Sequence, residues 1–197
     1  MANNPYSMSF TTGTLLQADS LLLTREYLEL GDWREVRNLT RRTNLLQAKT
    51  IQSNVRLASE IISRLCLLDD DQLKYLDQAQ VKDQSYVIWL AVCRRYKFIA
   101  DFTSEVISAA INTPMKKVTI EDYLTFYEQK AAFYPEIKQV SQSTKRRVEK
   151  YMFKIPEQAG IIDNNGVLLP IIVTPSNDLF FNKLQSSERL YYPGLEI

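Results

Sequence analysis

From about residue 16 to residue 159 the apolar side chains of this 197-residue chain return every three or four positions. That spacing puts them on one face of successive helices and leaves little room for a sheet. Leu16, Leu23, Tyr27 and Leu30 share such a face, and Gly31 followed by Asp32 marks a stop and a new start. Asp32 with Glu35 three residues on reads as a capping box. It predicts a helix to about Thr43 that buries Trp33, Val36, Leu39 and Thr40. The turn NLLQAK leads into a third helix, from about Thr50 to Leu67, with Ile51, Val55, Ala58, Ile62 and Leu65 inward. Asp69-Asp70-Asp71 opens a short helix carrying Leu73 and Leu76. From Gln84 to about Ala110 the residues are apolar on most sides, which predicts one or two helices through the core. Thr119 and Asp122 form another capping box, Pro135 ends the helix they begin, and Ser143 caps the next.

The period changes at 160–173, GIIDNNGVLLPIIV. Asn165-Gly166 between two β-rich apolar runs predicts a small hairpin near 161–173, with Pro170 confining the second run to an edge. The expected class is an all-α globular protein with helix-turn-helix elements and this hairpin as a wing. It is expected to be one unit over 1–197, with a sub-division into 1–112 and 118–197.

Composition narrows the chemistry. The chain has no histidine, which removes histidine triads, bases and metal ligands together. Its two cysteines, Cys66 and Cys93, lie in apolar helical patterns and read as buried thiols in a reducing compartment. The five glycines never cluster into a phosphate loop. The acidic triplet at 69–71 reads as acids at the positive end of a helix dipole rather than as a Mg²⁺ site. No catalytic residue, metal or cofactor is therefore expected; an enzyme built on carboxylates stays open, but nothing in the sequence points to one. The start, MANNPYSMSF, lacks the basic and apolar regions of a signal peptide. The most apolar run, VIWLAVC, is much shorter than the roughly 20 residues a membrane span needs. The expectation is a cytoplasmic protein without a membrane partner.

A net charge of +1 gives no global attraction for a polyanion, so any such binding needs local asymmetry. STKRRVEKYMFK (143–154) supplies one case. On a helical wheel Val148, Met152, Ile155 and Ala159 make one apolar face, and Arg146, Arg147, Lys150 and Lys154 lie opposite. Like charges at i, i+4 and i+8 cost a few tenths of a kcal/mol per pair, by rough measure, and a polyanion relieves that cost. The second case is 33–64, with seven basic residues (Arg34, Arg37, Arg41, Arg42, Lys49, Arg56, Arg64) against Glu35 and Glu60. There Arg34, Arg37 and Arg41 share one side of the helix after Asp32. The next helix offers Gln52, Ser53 and Arg56, side chains that suit base edges and phosphates. Two helices joined by NLLQAK would form a helix-turn-helix unit. The basic helix followed by a hairpin would form a second, winged one with Asn164-Asn165-Gly166 at its tip. The candidate DNA-binding residues are Arg34, Arg37, Arg41, Lys49, Gln52, Ser53, Arg56, Lys145, Arg146, Arg147, Lys150 and Lys154. An acidic partner protein docking on the same faces is the alternative. Arg94 or Arg95 is expected to be structural, paired with Asp101 or another carboxylate, and Tyr191 and Tyr192 to pin the tail to the core.

Several stretches resemble the BrxA family of BREX phage-defence systems. They are YSMSFTTGTLL, YLELGDWREVR, NLLQAKT, WLAVCRRYKFIADFTSEV, KAAFYPEI, STKRRVEKYMF and EQAGIID, in that order along almost the whole chain. The resemblance implies an all-helical protein with helix-turn-helix elements that binds double-stranded DNA and has no enzymatic activity. It also implies a cytoplasmic setting beside a methyltransferase, ATPases and a phosphatase-like protein that mark host DNA and exclude phage DNA. Pro156 departs from the pattern. Proline disfavours helix at Ile155, so the basic helix is expected to stop near Lys154.

Overall fold

The protein is described by a computed structural model covering residue 6 and residues 8–195. Among these residues the chain forms eleven α-helical segments and no strand. They are α1 (Gln17–Leu30), α2 (Trp33–Thr43), α3 (Ile51–Leu65), α4 (Asp70–Gln78), α5 (Val81–Arg95), α6 (Lys97–Phe102), α7 (Ile120–Phe133), α8 (Pro135–Lys138), α9 (Gln142–Gln158), α10 (Asp178–Asn182) and α11 (Ser186–Arg189). The apolar period in the sequence is thus realised as an all-α fold.

Helix α5 is the centre because its middle, residues 86–93, has no polar face. Every residue from Asp83 to Cys93 is buried, and 86–93 is apolar all round, as the middle of a central helix must be. Helices α1, α3, α4, α6 and α9 pack on it. The chain then runs through α6 into a single wide turn, Thr103–Ile107, where the Ser108 N–H donates to the Thr103 carbonyl at 2.8 Å. Buried side chains from Tyr6 to Tyr192 form one contiguous cluster. The C-terminal tyrosines do pin the tail: Trp89 Nε1 donates to the Tyr191 carbonyl at 2.9 Å, and the Tyr192 hydroxyl to the Tyr86 carbonyl at 2.7 Å.

Helix starts follow the capping logic. Asp32 accepts from the Arg34 N–H, Asp69 and Gln72 form a full capping box, and so do Thr119 and Asp122. Five local expectations need correction. Asp32 caps α2 through the Arg34 N–H alone, and the expected box with Glu35 does not form, because the bond is made one residue earlier. The basic helix is capped by Ser141, not Ser143. It also continues through Pro156 to Gln158. Burial of Ile155, Pro156 and Ala159, with the Leu15 N–H donating to Gln158 Oε1 at 3.0 Å, outweighs the lost donor. Ile51 is 65% exposed, because the first residue of α3 lies beyond the helices that cover Asn54 and Ala58. Cys66 is exposed, because it closes the last turn of α3 on the outer side while Leu65 and Leu68 take the core. Cys93 is buried as expected, and burial pushes its thiol up.

The expected hairpin is present in reduced form. Ile162 and Leu168 make one antiparallel bridge, and Lys117 with Val167 makes another, so the run pairs with 116–118 as well as with itself. Gly166 is required at the tip. Its φ is +81°, and a Cβ there would meet the Val118 carbonyl oxygen at 2.3 Å.

Candidate nucleic-acid interface

Helices α2 and α3 form the first unit. The chain leaves α2 through Asn44 in the left-handed region and re-enters a helix at Thr50, whose hydroxyl accepts from the Ser53 N–H at 3.1 Å. One side chain ties the unit together. Asn54 is fully buried, donates through Nδ2 to the Thr40 carbonyl at 2.5 Å and accepts at Oδ1 from the Leu46 N–H at 3.2 Å. Asn44 adds a bond to the Ala48 carbonyl at 3.0 Å. The end of α2, the turn and the first turn of α3 are therefore fixed to one another. Sequence reading passed over Asn54. Its signal was a polar residue in register with Ala58 and Ile62, four and eight residues before them on the buried face.

The structure leaves Arg34, Arg37, Arg41, Arg42, Lys49, Gln52, Ser53 and Arg56 exposed on this unit. Arg64, which sequence reading counted with them, does not belong there. It is 1% exposed and paired with Glu60 at 2.8 Å, and it also holds the carbonyls of Gly13 and Thr14. The local excess of positive charge survives, since its acidic partner is withdrawn with it. Arg56 reaches Thr12 Oγ1 at 3.5 Å, and Ser53 shares the cap with Thr50.

Helix α9 carries the second group. Val148, Met152, Ile155 and Ala159 are all buried, as the wheel required, and Arg146, Arg147 and Lys150 are exposed on the other side. One member of the arc, and the candidate Lys145 beside it, are engaged. Lys154 pairs with Glu157 at 2.8 Å, and Lys145 lies over the Tyr127 ring at 5.6 Å. Beside the arc runs a groove of about 590 Å³ between α9, the start of α7 and the 163–166 turn. Its rim mixes Lys117, Lys150 and Lys154 with Glu121, Glu149 and Asp163. Asp163 shapes the turn by accepting from the N–H groups of Val167 and Asn165 at 2.8 Å. The Val167 bond, aided by Asn165, holds its carboxyl below the ordinary value against the opposing effect of burial.

The two groups are not joined by any hydrogen bond or ion pair among the described residues. They are linked through α5 and through the short turn Ser9–Thr12, on each of which both α3 and α9 pack. Elsewhere, among the described residues, five cations are spent on ion pairs, while Lys74, Lys82, Arg95, Lys116, Lys117, Lys138 and Arg189 have no carboxylate partner. Arg25, Arg94, Lys97, Lys130 and Lys183 all have carboxylate partners. Arg94 is structural as expected, but its partner is Glu188 at 2.7 Å, with further bonds to Leu67 and Gln72. Asp101 serves Lys97 and Lys130 instead. Among the described residues, Arg34, Arg37, Arg41, Arg42, Lys49, Arg146, Arg147 and Lys150 have no carboxylate partner. No group of three or more Cys, Asp or Glu there could hold a metal ion, and no helix is long and apolar enough to cross a membrane.

Fold and site together define an all-α protein that gathers unpaired cations on two helical faces. It belongs to the BrxA family, whose family model matches residues 4–185. The BREX protein BrxA of Bacillus cereus (strain H3081.97) is 20% identical over 145 residues, which is 74% of this chain and 70% of that one. A crystal structure of an uncharacterized protein from Magnetospirillum magneticum superposes with a TM-score of 0.77 at 16% identity. The match covers 95% of this chain and 96% of the other, so the fold is shared.

Proposed function

We propose that this protein is a non-enzymatic, double-stranded-DNA-binding component of a BREX phage-defence system, acting in the cytoplasm. The observation that carries the reading is the set of partnerless cations on α2, the following turn and α9, in a chain whose net charge is only +1. Repulsion within each row is relieved when phosphates lie across it. The α2–α3 pair acts as a helix-turn-helix. Arg34, Arg37, Arg41 and Lys49 hold the backbone, and α3 offers Gln52, Ser53 and Arg56 to the major groove. Arg146, Arg147 and Lys150 of α9 hold a second stretch of backbone, with the 163–166 turn as a short wing. Lys145 and Lys154 support that face at its edges.

Affinity of the purified chain for duplex DNA, single-stranded DNA and RNA across a salt series tests this. Duplex should bind best, and log affinity should fall by roughly 0.9 per log unit of salt for each phosphate neutralised. Absence of binding, or a flat salt response, would overturn the reading. Capture of another BREX component, such as its methyltransferase or ATPase, that survives nuclease while the pure chain ignores DNA would place a protein on these faces instead.

A further inference from the structure

Residues 164–177, NNGVLLPIIVTPSN, carry no charged side chain, although 24% of the chain is charged. The structure stretches the middle of this run along the surface and fastens it at both ends. At the first end the Leu168 N–H donates to the Lys116 carbonyl at 2.8 Å and the Leu169 N–H to the Ile161 carbonyl at 2.9 Å. At the second end stands Asn177, 1% exposed. It accepts from the Thr174 N–H at 2.8 Å and donates to the Ile172 carbonyl at 3.0 Å and to Asp83 Oδ1 at 2.8 Å. Between these clamps Leu168 and Ile171 pack against the core, while Leu169, Ile172 and Val173 lie open to solvent. An apolar groove of about 290 Å³, formed with Ile111 and Pro193, runs beside Leu168–Ile171.

The direction of one carbonyl gives this segment its meaning. Ile172 points its carbonyl inward, to Asn177. In an extended chain successive backbone groups alternate in direction, so the N–H and C=O of Ile171 and Val173 point the other way. Among the described residues those four groups have no hydrogen-bond partner. An uncovered, uncharged, β-branched edge of this kind is a template for another strand. Proteins that keep such edges apart place charge on them, and here the blocking residues are two prolines outside the edge, Pro170 before it and Pro175 after it.

We infer that residues 171–173 pair antiparallel, about a two-fold axis, with the same residues of a second copy of this chain. The edge is complementary to itself. With Ile172 opposite Ile172, Ile171 and Val173 of each copy exchange both backbone bonds with Val173 and Ile171 of the other, giving four N–H···O bonds. No like charges meet, and a net charge of +1 adds little long-range repulsion. The clamps have already ordered the strand, so pairing costs little further entropy.

Sedimentation of the full chain from about 1 to 100 µM should show a monomer–dimer equilibrium within that range. Ile172→Lys sets two like charges at the closest approach and should leave monomer throughout, with unchanged helical content. An independent arm needs no destabilising charge. In a Cys66→Ser background, Ile172→Cys should oxidise to a covalent dimer, since an unbonded antiparallel pair brings the two Cα atoms to about 4.5 Å. Asn164→Cys, equally exposed, should not. Monomer at every concentration, together with no cross-linking of the Ile172→Cys variant, overturns the inference, whether the edge stays bare or takes a strand from a different protein. So does a dimer that Ile172→Lys leaves intact.

Discussion

The two cationic faces use the same side chains and are built by opposite means. On the α2–α3 unit a short helix carries Arg34, Arg37 and Arg41 with almost nothing to dilute them. The acids between residues 32 and 59 are Asp32, which caps α2, and Glu35. A buried amide, Asn54, rather than an apolar seam, fixes how that charge is presented. On α9 a 17-residue helix has a fully apolar seam, and its arc is trimmed from within. Lys154 is paired, Lys145 leans on Tyr127, and Glu121, Glu149 and Asp163 line the adjoining groove. The comparison teaches that a basic arc on a wheel overstates the free charge where acids stand one turn away in the fold. The α2–α3 face should therefore dominate affinity for a polyanion, with α9 as the weaker, orienting grip.

The largest effect tests that ranking. Replacing Arg34, Arg37 and Arg41 together by Gln should weaken duplex binding several-hundred-fold near 0.1 M salt, at roughly 0.9 log units per lost phosphate contact. The salt slope should flatten by about 2.7 in the same series. Arg146→Gln with Lys150→Gln removes two contacts and should cost on the order of fifty-fold, with a slope change of about 1.8. Fluorescence anisotropy at several salt concentrations measures both. If the α9 pair costs more than the α2 triple, the ranking of the faces is wrong.

Much of this arrangement was legible beforehand. The apolar period placed the helices, and the caps at Asp32, Asp69 and Thr119 set their starts, because both depend on neighbours within a turn. What was not legible depends on distant neighbours. Arg64 and Arg56 differ by two helical turns in sequence, yet one is buried against Glu60 and the other is exposed. Pro156 stays inside α9 because the core holds Ile155 and Ala159, a long-range fact. The hairpin signal was correct about the turn, but its second run found another partner at 116–118, and no local rule specifies that pairing. At the site the exposed residues Arg34, Arg37, Arg41, Arg146, Arg147 and Lys150 were visible as a pattern. The engagement of Lys145 and Lys154, and the clamp at Asn54, were not.

Asn54→Ala sharpens the claim that one amide sets the α2–α3 geometry. It leaves the Thr40 carbonyl and the Leu46 N–H without their partner in a buried site, which costs about 1–3 kcal/mol. A urea titration should show a lower midpoint, and duplex affinity should fall even where the variant is fully folded. A variant that is destabilised but binds normally would separate the clamp from the DNA face. On the α9 side, Gly166→Ala is the matching probe. The new Cβ meets the Val118 carbonyl at a left-handed position, so a loss of about 1–2 kcal/mol is expected. Effects on DNA should be smaller than those of Arg146→Gln and Lys150→Gln, because the turn supports the face and supplies none of its charge.

The smallest effect contrasts both faces with a place where cations are consumed. Asp101 takes Lys97 at 2.8 Å, Lys130 at 3.2 Å and the Tyr6 hydroxyl at 2.5 Å. Burial alone would raise its carboxyl, but the bonds from Lys97 and Tyr6 and the charges of Lys130 and Lys97 outweigh it, so the value lies below the ordinary one. A carboxyl lowered on folding contributes stability above its unfolded value, near 3.9, and that contribution is lost as pH falls through the folded value. Lys130 is shifted the other way: burial alone would lower its amine, but Glu105 and Asp101 outweigh that and raise it. Its share is complete at neutral pH and fades only above the usual lysine range, near 10.4. Asp101→Asn should therefore cost about 1 kcal/mol at pH 7, and the gap to the unmodified chain should close below about pH 4. Thermal melts of both proteins between about pH 3 and 7 show this directly, and a gap that stays constant would mean the charge on Asp101 contributes nothing. Duplex affinity should not change, because the cations Asp101 holds are the ones the two faces do not use.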